Sequence, residues 1–452
     1  MLAYYTRLAL RSFARNPGLT ALMVLAIALG IAVCIMTLTV YHGMSGNPIW
    51  WKNDRLYTVT MDNWDPNQAY RPPTPGEQVK GTPLPPPEMT YQDTQYLFQS
   101  AIPVRKVVTY SSDGVISGIP AAPPEKVSTR LTTADFFSMF EAPFLYGNGW
   151  SASADLPAQP VIVLSREEND KLFSGANSVG RTLRWNDHEF RVIGVLDDWF
   201  PRPRYYDLNG GNFGPPDKAY IPFRWGMELE QLNNEDTDCW KPEKVDTFKE
   251  FMASDCVWLQ MWVELPDAAS RERFQSFMDG YWSSQRKAGR FPRPRNNRLT
   301  NVGDWLRDRE VVDNDNRILV GLSFAFLALC LINTVGLLLA KFLNGAPITG
   351  VRRALGASRR QVFFQHLVEV GALSVAGALL GLVLAAIGLA AIHHMYAAAH
   401  LGERGGYQEL THFDVTGVVW AVALAIVATL AAGLYPAWRV GRLPPAVYLK
   451  SQ

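Results

Sequence analysis

The sequence predicts a membrane protein: four transmembrane α-helices in a one-plus-three arrangement, with a large α+β extracytoplasmic domain between the first and second. Three observations predict it. Apolar residues are concentrated in four blocks, Gly18–Tyr41, Ile318–Ala340, Val370–Ile392 and Val415–Trp438. Positive charge without compensating acid is confined to the segments that would share one side of a membrane. The long stretch between the first two blocks reads as alternating strands and helices.

Each block is long enough to cross a hydrocarbon core of about 30 Å at roughly 1.5 Å per residue. In lipid the backbone must pair internally, which a helix achieves. The whole-chain averages hide this: 452 residues carry a net charge of only +1 and 19% charged side chains. That balance gives no basic surplus for nucleic acid, and no such partner is expected. Gly18–Tyr41 contains no Asp, Glu, Lys, Arg or His. It exceeds the usual apolar run of a signal peptide, and Tyr41-His42-Gly43-Met44 offers no small-residue cleavage site, so it is read as a retained helix.

Orientation follows from the cations. Arg7, Arg11 and Arg15 precede the first block; Lys341, Arg352, Arg353, Arg359 and Arg360 lie between the second and third; Arg439, Arg442 and Lys450 follow the fourth. Residues 1–16, 341–364 and 439–452 hold no acid, and short basic segments stay cytoplasmic. The segment with Glu403, Arg404 and Glu409 has no such excess. The expected division is an amphipathic N-terminus (1–16), a first span (17–41), an outer domain (42–315), a second span (316–341) and a cytoplasmic loop (342–364). A third span (365–396), a short outer loop (397–413), a fourth span (414–438) and a cytoplasmic tail (439–452) complete it. Trp50, Trp51, Trp305 and Trp438 read as interfacial anchors.

Within the outer domain, Arg55–Met61, Val104–Tyr110, Pro160–Leu164 and Cys256–Leu265 read as strands. Arg181–Trp185 and His188–Val195 flank the turn dipeptide Asn186-Asp187 and predict a hairpin. Ser165 and Glu168 have capping-box spacing ahead of a short helix through Phe173, and Asp267 to about Trp282 reads as a helix after a strand. Arg71–Pro87 holds seven prolines and predicts an extended excursion. Cys239 and Cys256 fall in this domain, where an oxidising compartment permits a disulfide between them; two separate buried thiols are the alternative.

Several stretches resemble the permeases of the MacB/FtsX family of ABC transporters, the type VII or mechanotransmission class. They are Leu10-Arg11-Ser12-Phe13-Ala14-Arg15-Asn16-Pro17 before the first span and Thr133-Ala134-Asp135-Phe136-Phe137 with Leu145-Tyr146-Gly147. Val161–Ser165, Val179–Leu183 and Val192–Val195 follow, then Gly350-Val351-Arg352-Arg353-Ala354-Leu355-Gly356-Ala357, and finally Gly433–Arg439. The resemblance implies a bacterial inner-membrane subunit with a MacB-like periplasmic core. It implies a coupling helix from Val351 to Gln365 that docks on a cytoplasmic ABC ATPase dimer, with Gly350, Arg352, Arg353, Ala354, Leu355, Gly356, Ala357, Arg359 and Arg360 as coupling residues. Membrane orientation and contact with anionic lipid are a second role for these arginines. The family usually carries Arg-Glu-Ile immediately before the signature glycine, whereas this chain has Pro347, Ile348 and Thr349. The missing charged pair suits a heterodimer in which a second permease keeps the standard loop, although a homodimer stays open.

No Gly-Lys dipeptide occurs, which excludes a Walker A motif from these residues. No catalytic, cofactor or metal residue is expected here; ATP and Mg²⁺ belong to the partner ATPase. His393, His394, His400 and His412 lack acid ligands at firm spacing and are not read as a metal site. Glu369, near the inner end of the third span, is expected to pair with Arg359 or Arg360, and Gly377 and Gly381 form a GxxxG spacing. The function that follows is a non-catalytic permease exporting a periplasmic substrate such as a peptide, antibiotic, siderophore or toxin, with a periplasmic adaptor and an outer-membrane channel. Lipoprotein extraction and ATP-driven control of a cell-wall hydrolase are alternatives on the same fold. A membrane-anchored receptor without transport is the alternative of another class.

Overall fold

The computed structural model describes residues 2–67, 70, 83–119, 123–311, 314–399 and 415–441. The proline-rich stretch 71–82, His400, His412, the outer-loop charges Glu403, Arg404 and Glu409, and the tail cations Arg442 and Lys450 lie outside them. The chain divides into two compact units: Gly46–Val311, and the helices up to Ser45 together with those after Val312.

The chain opens with α1 (Leu2–Arg15) and α2 (Pro17–Ser45). Through the outer unit run β1 (Leu56–Thr60), α3 (Tyr91–Phe98), β2 (Arg105–Ser117), β3 (Glu125–Thr132), α4 (Phe136–Met139), β4 (Phe144–Gly147), β5 (Val161–Leu164) and α5 (Arg166–Phe173). Next come β6 (Thr182–Trp185), β7 (His188–Leu196), β8 (Ala219–Pro222), α6 (Phe223–Glu228), α7 (Phe248–Ala253), β9 (Gln260–Glu264), α8 (Ala268–Lys287), β10 (Arg298–Asn301) and α9 (Val302–Asp308). The chain then forms α10 (Asn314–Asn344), α11 (Ala346–Ala354), α12 (Arg359–Ala399) and α13 (Val415–Gly441).

The outer unit is α+β, built on one ten-stranded sheet in the order β10-β1-β9-β2-β3-β8-β5-β7-β4. Strand β6 pairs with both β2 and β7, so β2, β3, β8, β5, β7 and β6 close into a ring. Closure removes edges that would otherwise invite pairing with another chain. Pairs β3–β8 and β5–β7 are parallel. The hairpin turns at Asn186 and Asp187, whose φ of 45° and 66° suit the two-residue turn that matches strand twist. Ser165 caps α5 by accepting from the Glu168 N–H at 3.1 Å. The expected box is only half formed, because both Glu168 side-chain oxygens are buried without a hydrogen-bond partner. Asp267 and Ser270 instead make a full capping box for α8.

Strand β2 runs seven residues beyond the predicted Tyr110, through the polar run Ser111-Ser112-Asp113-Gly114. The polar side chains find partners: Ser111 Oγ donates to Asp217 Oδ1 at 2.7 Å and Ser112 Oγ to the Leu232 carbonyl at 2.6 Å. Gly114 lies under Trp185, whose Nε1 would sit 1.9 Å from an added Cβ. Trp305 is not an interfacial anchor: it is 5% exposed and donates from Nε1 to the Tyr205 carbonyl at 3.1 Å. Trp50 and Trp51 are exposed. A disulfide joins Cys239 and Cys256, tying the segment after α6 to the strand region before β9.

A charge cluster sits inside this unit. Arg130 on β3 is fully buried; its Nε donates to Asp217 Oδ2 at 2.8 Å and its Nη2 to Asp207 Oδ2. Arg204 Nη2 donates to the same Asp207 oxygen at 2.7 Å. Burial alone would raise the Asp207 carboxyl, but Arg130 and Arg204 outweigh it and hold it below the usual range. Burial, reinforced by Asp207, pushes Glu235 well above its ordinary value. Glu235 Oε1 lies 3.6 Å from Arg130 Nη2 and 3.3 Å from Arg204 Nη2, so both guanidinium groups face it as well.

In the other unit α2 packs against α10 and α12, α13 against α12, α10 and α2, and α1 against α12. Among the described residues α2, α10 and α12 are long and apolar enough to cross a membrane. Between lipid-embedded helices close contact replaces the hydrophobic effect. Gly377 and Gly381 supply that contact: an added Cβ would stand 2.6 Å from Ile27 Cγ2 at the first and 3.0 Å from the Ala28 carbonyl oxygen at the second. Gly388 extends the seam against Met36, 2.1 Å from Sδ by the same measure.

Two predictions follow from the outer unit. Arg130→Met leaves Asp217 a buried carboxylate without its ion-pair partner and leaves Asp207 to Arg204 alone, lowering stability by about 3–5 kcal/mol; thermal denaturation of the full chain, followed by tryptophan fluorescence, reads it, and an unchanged midpoint contradicts the assignment. Burial, reinforced by Glu125, pushes the Glu168 carboxyl up to about 7. The folded value exceeds the unfolded one, so the chain's stability contribution from this group is present below about pH 4.5 and lost as pH rises through 7. Glu168→Gln is therefore more stable than the parent at pH 8 by up to about 3 kcal/mol and similar to it near pH 4; equal denaturation midpoints at pH 8 would contradict this.

Candidate functional site

The residues singled out in the sequence converge on the basic end of the helical unit. Helix α10 ends at Asn344, and Gly345 with Pro347 in the first turn of α11 starts a new helix, where a missing N–H costs nothing. The segment Val351 to Gln365 is not one helix, as expected from the resemblance; it is an elbow. Helix α11 stops at Ala354 and α12 begins at Arg359.

The break has a local cause. Gly356 has φ +105°, a conformation that side chains resist, and no atom lies within 4 Å of an added Cβ. The turn, not close approach, requires this glycine. The Gly356 N–H donates to the Arg353 carbonyl at 3.1 Å and the Ala357 N–H to the Arg352 carbonyl at 3.0 Å, the two bonds of a Schellman motif. Ser358 then caps α12: its Oγ accepts from the Gln361 N–H at 3.3 Å, and its own N–H donates to Gln361 Oε1 at 2.9 Å. Both sides of the elbow are thus fixed by hydrogen bonds.

Arg352 Nη1 donates to Gln365 Oε1 at 3.0 Å, bracing α11 against α12. Gly350 is buried, Arg353 and Ala357 half-buried, and Ala354, Arg359 and Arg360 exposed. Ile348, Val351 and Leu355 are exposed, Leu355 by 83%. At positions i, i+3 and i+7 they form an apolar stripe on α11.

Glu369 is buried three turns into α12, and it does not pair with Arg359 or Arg360. Those residues lie nine and ten positions earlier on the same helix, about 13–15 Å along its axis. Lys341 Nζ on α10 meets Glu369 Oε1 at 2.7 Å, Ser12 Oγ on α1 donates to the same oxygen at 2.5 Å, and His366 Nδ1 lies 3.5 Å from Oε2. The sequence reading placed Lys341 with the inner-loop cations and missed Ser12 and His366. The i, i+3 spacing of His366 and Glu369 was the one available signal. Cys239 and Cys256 belong to the outer unit and have no part in this site.

Comparison with known proteins places this arrangement. A profile of the MacB-like periplasmic core domain matches residues 20–279, and one of the FtsX-like permease C-terminal region matches residues 320–445. The pyoverdine export ATP-binding/permease protein PvdT of Pseudomonas syringae pv. tomato is 24% identical over 321 residues, covering 70% of this chain and 42% of that protein. The macrolide export ATP-binding/permease protein MacB of Azoarcus sp. is 21% identical over 455 residues, 99% of this chain and 59% of that protein. The crystal structure of the periplasmic region of MacB from Actinobacillus actinomycetemcomitans covers 60% of this chain and 95% of its own, at 13% identity and a TM-score of 0.35. The chain spans about half the length of the curated relatives it matches. With the first profile covering more than half of its residues and the second most of the remaining helices, the chain belongs to the MacB/FtsX-like family of ABC transporter permeases.

Proposed function

We propose that this chain is the non-catalytic permease subunit of a type VII ABC exporter, with four membrane spans in a one-plus-three layout, α13 being the fourth. It sits in a bacterial inner membrane with the outer unit in the periplasm. ATP and Mg²⁺ bind a separate cytoplasmic ATPase dimer, and a second permease, with the departure at Pro347–Thr349 favouring a heterodimer, completes the membrane part. The substrate is periplasmic, and a periplasmic adaptor with an outer-membrane channel carries it onward. The relatives' names join ATP binding to export, and this chain has no Gly-Lys dipeptide with which to build a Walker A loop.

The observation that carries the reading is the elbow. An exposed apolar stripe of Ile348, Val351 and Leu355 beside the exposed Arg359 and Arg360 is a surface made for a protein with an apolar pocket and an acidic rim. Because the elbow is locked by the Gly356 turn, the Ser358 cap and the Arg352–Gln365 bond, pushing α11 moves the 41-residue α12 as a lever. The glycine seam passes that movement to α2, which leads in the chain into the outer unit.

Leu355→Glu leaves the fold intact, because the side chain is exposed, and removes most of the ATPase that co-purifies with the wild-type chain. Gly356→Trp, and Arg352→Glu with Arg353→Glu, uncouple ATP hydrolysis from export by about tenfold or more while the outer unit stays folded. If ATPase docking and export survive all three changes, the elbow is not the coupling site.

A further inference from the structure

The basic end of the helical unit encloses a cavity of about 430 Å³ between α1, α10, α11 and α12. Its charged lining is unbalanced. Arg11 and Arg15 come from α1, Lys341 from α10 and Arg352 from α11, while Glu369 supplies the one carboxylate. Arg11 and Arg15 are exposed, Arg352 is half-buried and Lys341 is buried, so the surplus of positive charge runs from the surface to the Lys341 ammonium.

The groups inside have unused hydrogen-bonding capacity. His366 is 6% exposed, lines the cavity, and its Nε2 has no hydrogen-bond partner. Lys341, also buried, gives Glu369 one contact and lies over the Phe13 ring at 4.6 Å, but an ammonium has three protons to donate. Arg352 uses Nη1 on Gln365 and retains further N–H groups of its five. Ser12 and Glu369 are already committed to each other. The unused N–H groups of Lys341 and Arg352 call for an acceptor with several oxygens and negative charge, and the volume lies in the range of about 300–1,000 Å³ typical of small-ligand pockets.

We propose that this cavity binds a phosphate-bearing anion. Its placement favours a membrane source, the headgroup of an anionic phospholipid. Helix α1 carries Arg7, Arg11 and Arg15 while exposing Tyr4 and Leu10, the pattern of a helix lying in a membrane interface. Basic pockets between membrane helices on the cytoplasmic side are suited to phospholipid headgroups. Bound there, the headgroup bridges α1 to the elbow and stiffens the base of the lever.

Native mass spectrometry of the delipidated full chain in detergent, titrated with phosphatidylglycerol or phosphatidylcholine, tests this. Thermal shift with millimolar inorganic phosphate forms the second arm. The expected result is a preference for phosphatidylglycerol of about tenfold or more, lost in Arg11→Gln/Arg15→Gln and reduced in Arg352→Gln. Arg359→Gln/Arg360→Gln removes the same charge outside the cavity and changes the preference by less than about threefold. A thermal shift with inorganic phosphate that vanishes in Arg11→Gln/Arg15→Gln, without lipid preference, keeps the anion site and makes free phosphate its ligand. The proposal is overturned if neither probe binds, if Arg11→Gln/Arg15→Gln binds like wild type, or if Arg359→Gln/Arg360→Gln weakens binding equally, since general surface attraction then explains the effect.

Discussion

The helical unit turns on the Lys341–Glu369 ion pair. A carboxylate at that depth of α12 is costly unless paired, and an ammonium near the end of α10 is costly for the same reason. Pairing them at 2.7 Å fixes the axial position and rotation of α12 against α10, and Ser12 ties α1 to the same oxygen. Once α12 is rotated this way, Gly377, Gly381 and Gly388 face α2, and the helix can approach closely enough to pack. The Gly356 turn then determines where α11 points. Glu369 of the anchor, the glycine seam and one arm of the elbow all lie on α12, the arrangement on which the proposed lever rests.

The outer unit obeys the same rule in a different solvent. There the hydrophobic effect drives the closed ring of strands together, and burial of Trp185, Trp258 and Trp262 supplies a large share of it. Buried charge is again gathered into ion-paired sets, as around Arg130. Arg130 and Arg204 compensate Asp207 and Asp217, and both also face Glu235, whose carboxyl burial pushes upward. Glu168 has no hydrogen-bond partner for either side-chain oxygen, and its burial makes stability sensitive to pH.

Much of this was legible where one residue's chemistry decides the matter locally. Apolar length marked the membrane helices, Asn186-Asp187 the hairpin, and Asp267 the start of α8. Gly356 was picked out as part of the family signature, and the uniform basic, apolar run around it concealed a broken helix. What stayed hidden depends on partners distant in sequence. The strand continues past Tyr110 because Ser111, Ser112 and Gly114 meet Asp217, Leu232 and Trp185, which lie far away in sequence. Trp305 reads as an anchor until Tyr205 accepts its N–H. The partner of Glu369 was sought on its own helix, where rise per residue puts Arg359 and Arg360 out of reach, and Lys341 lies 28 positions away. The cavity beside it is assembled from four helices, and no single segment announces it.

All transmission from elbow to outer unit presumes that the two lie on opposite sides of the bilayer. The most direct measurement is cysteine labelling with a membrane-impermeant maleimide, using Leu355→Cys on the elbow and Ser153→Cys on the exposed surface of the outer unit; Cys34 and Cys330 are buried, and Cys239 and Cys256 are bonded to each other. The account predicts that Ser153→Cys reacts in cells whose inner membrane is intact and that Leu355→Cys reacts only once that membrane is opened. Labelling of Leu355→Cys in intact cells, with Ser153→Cys protected, would contradict it.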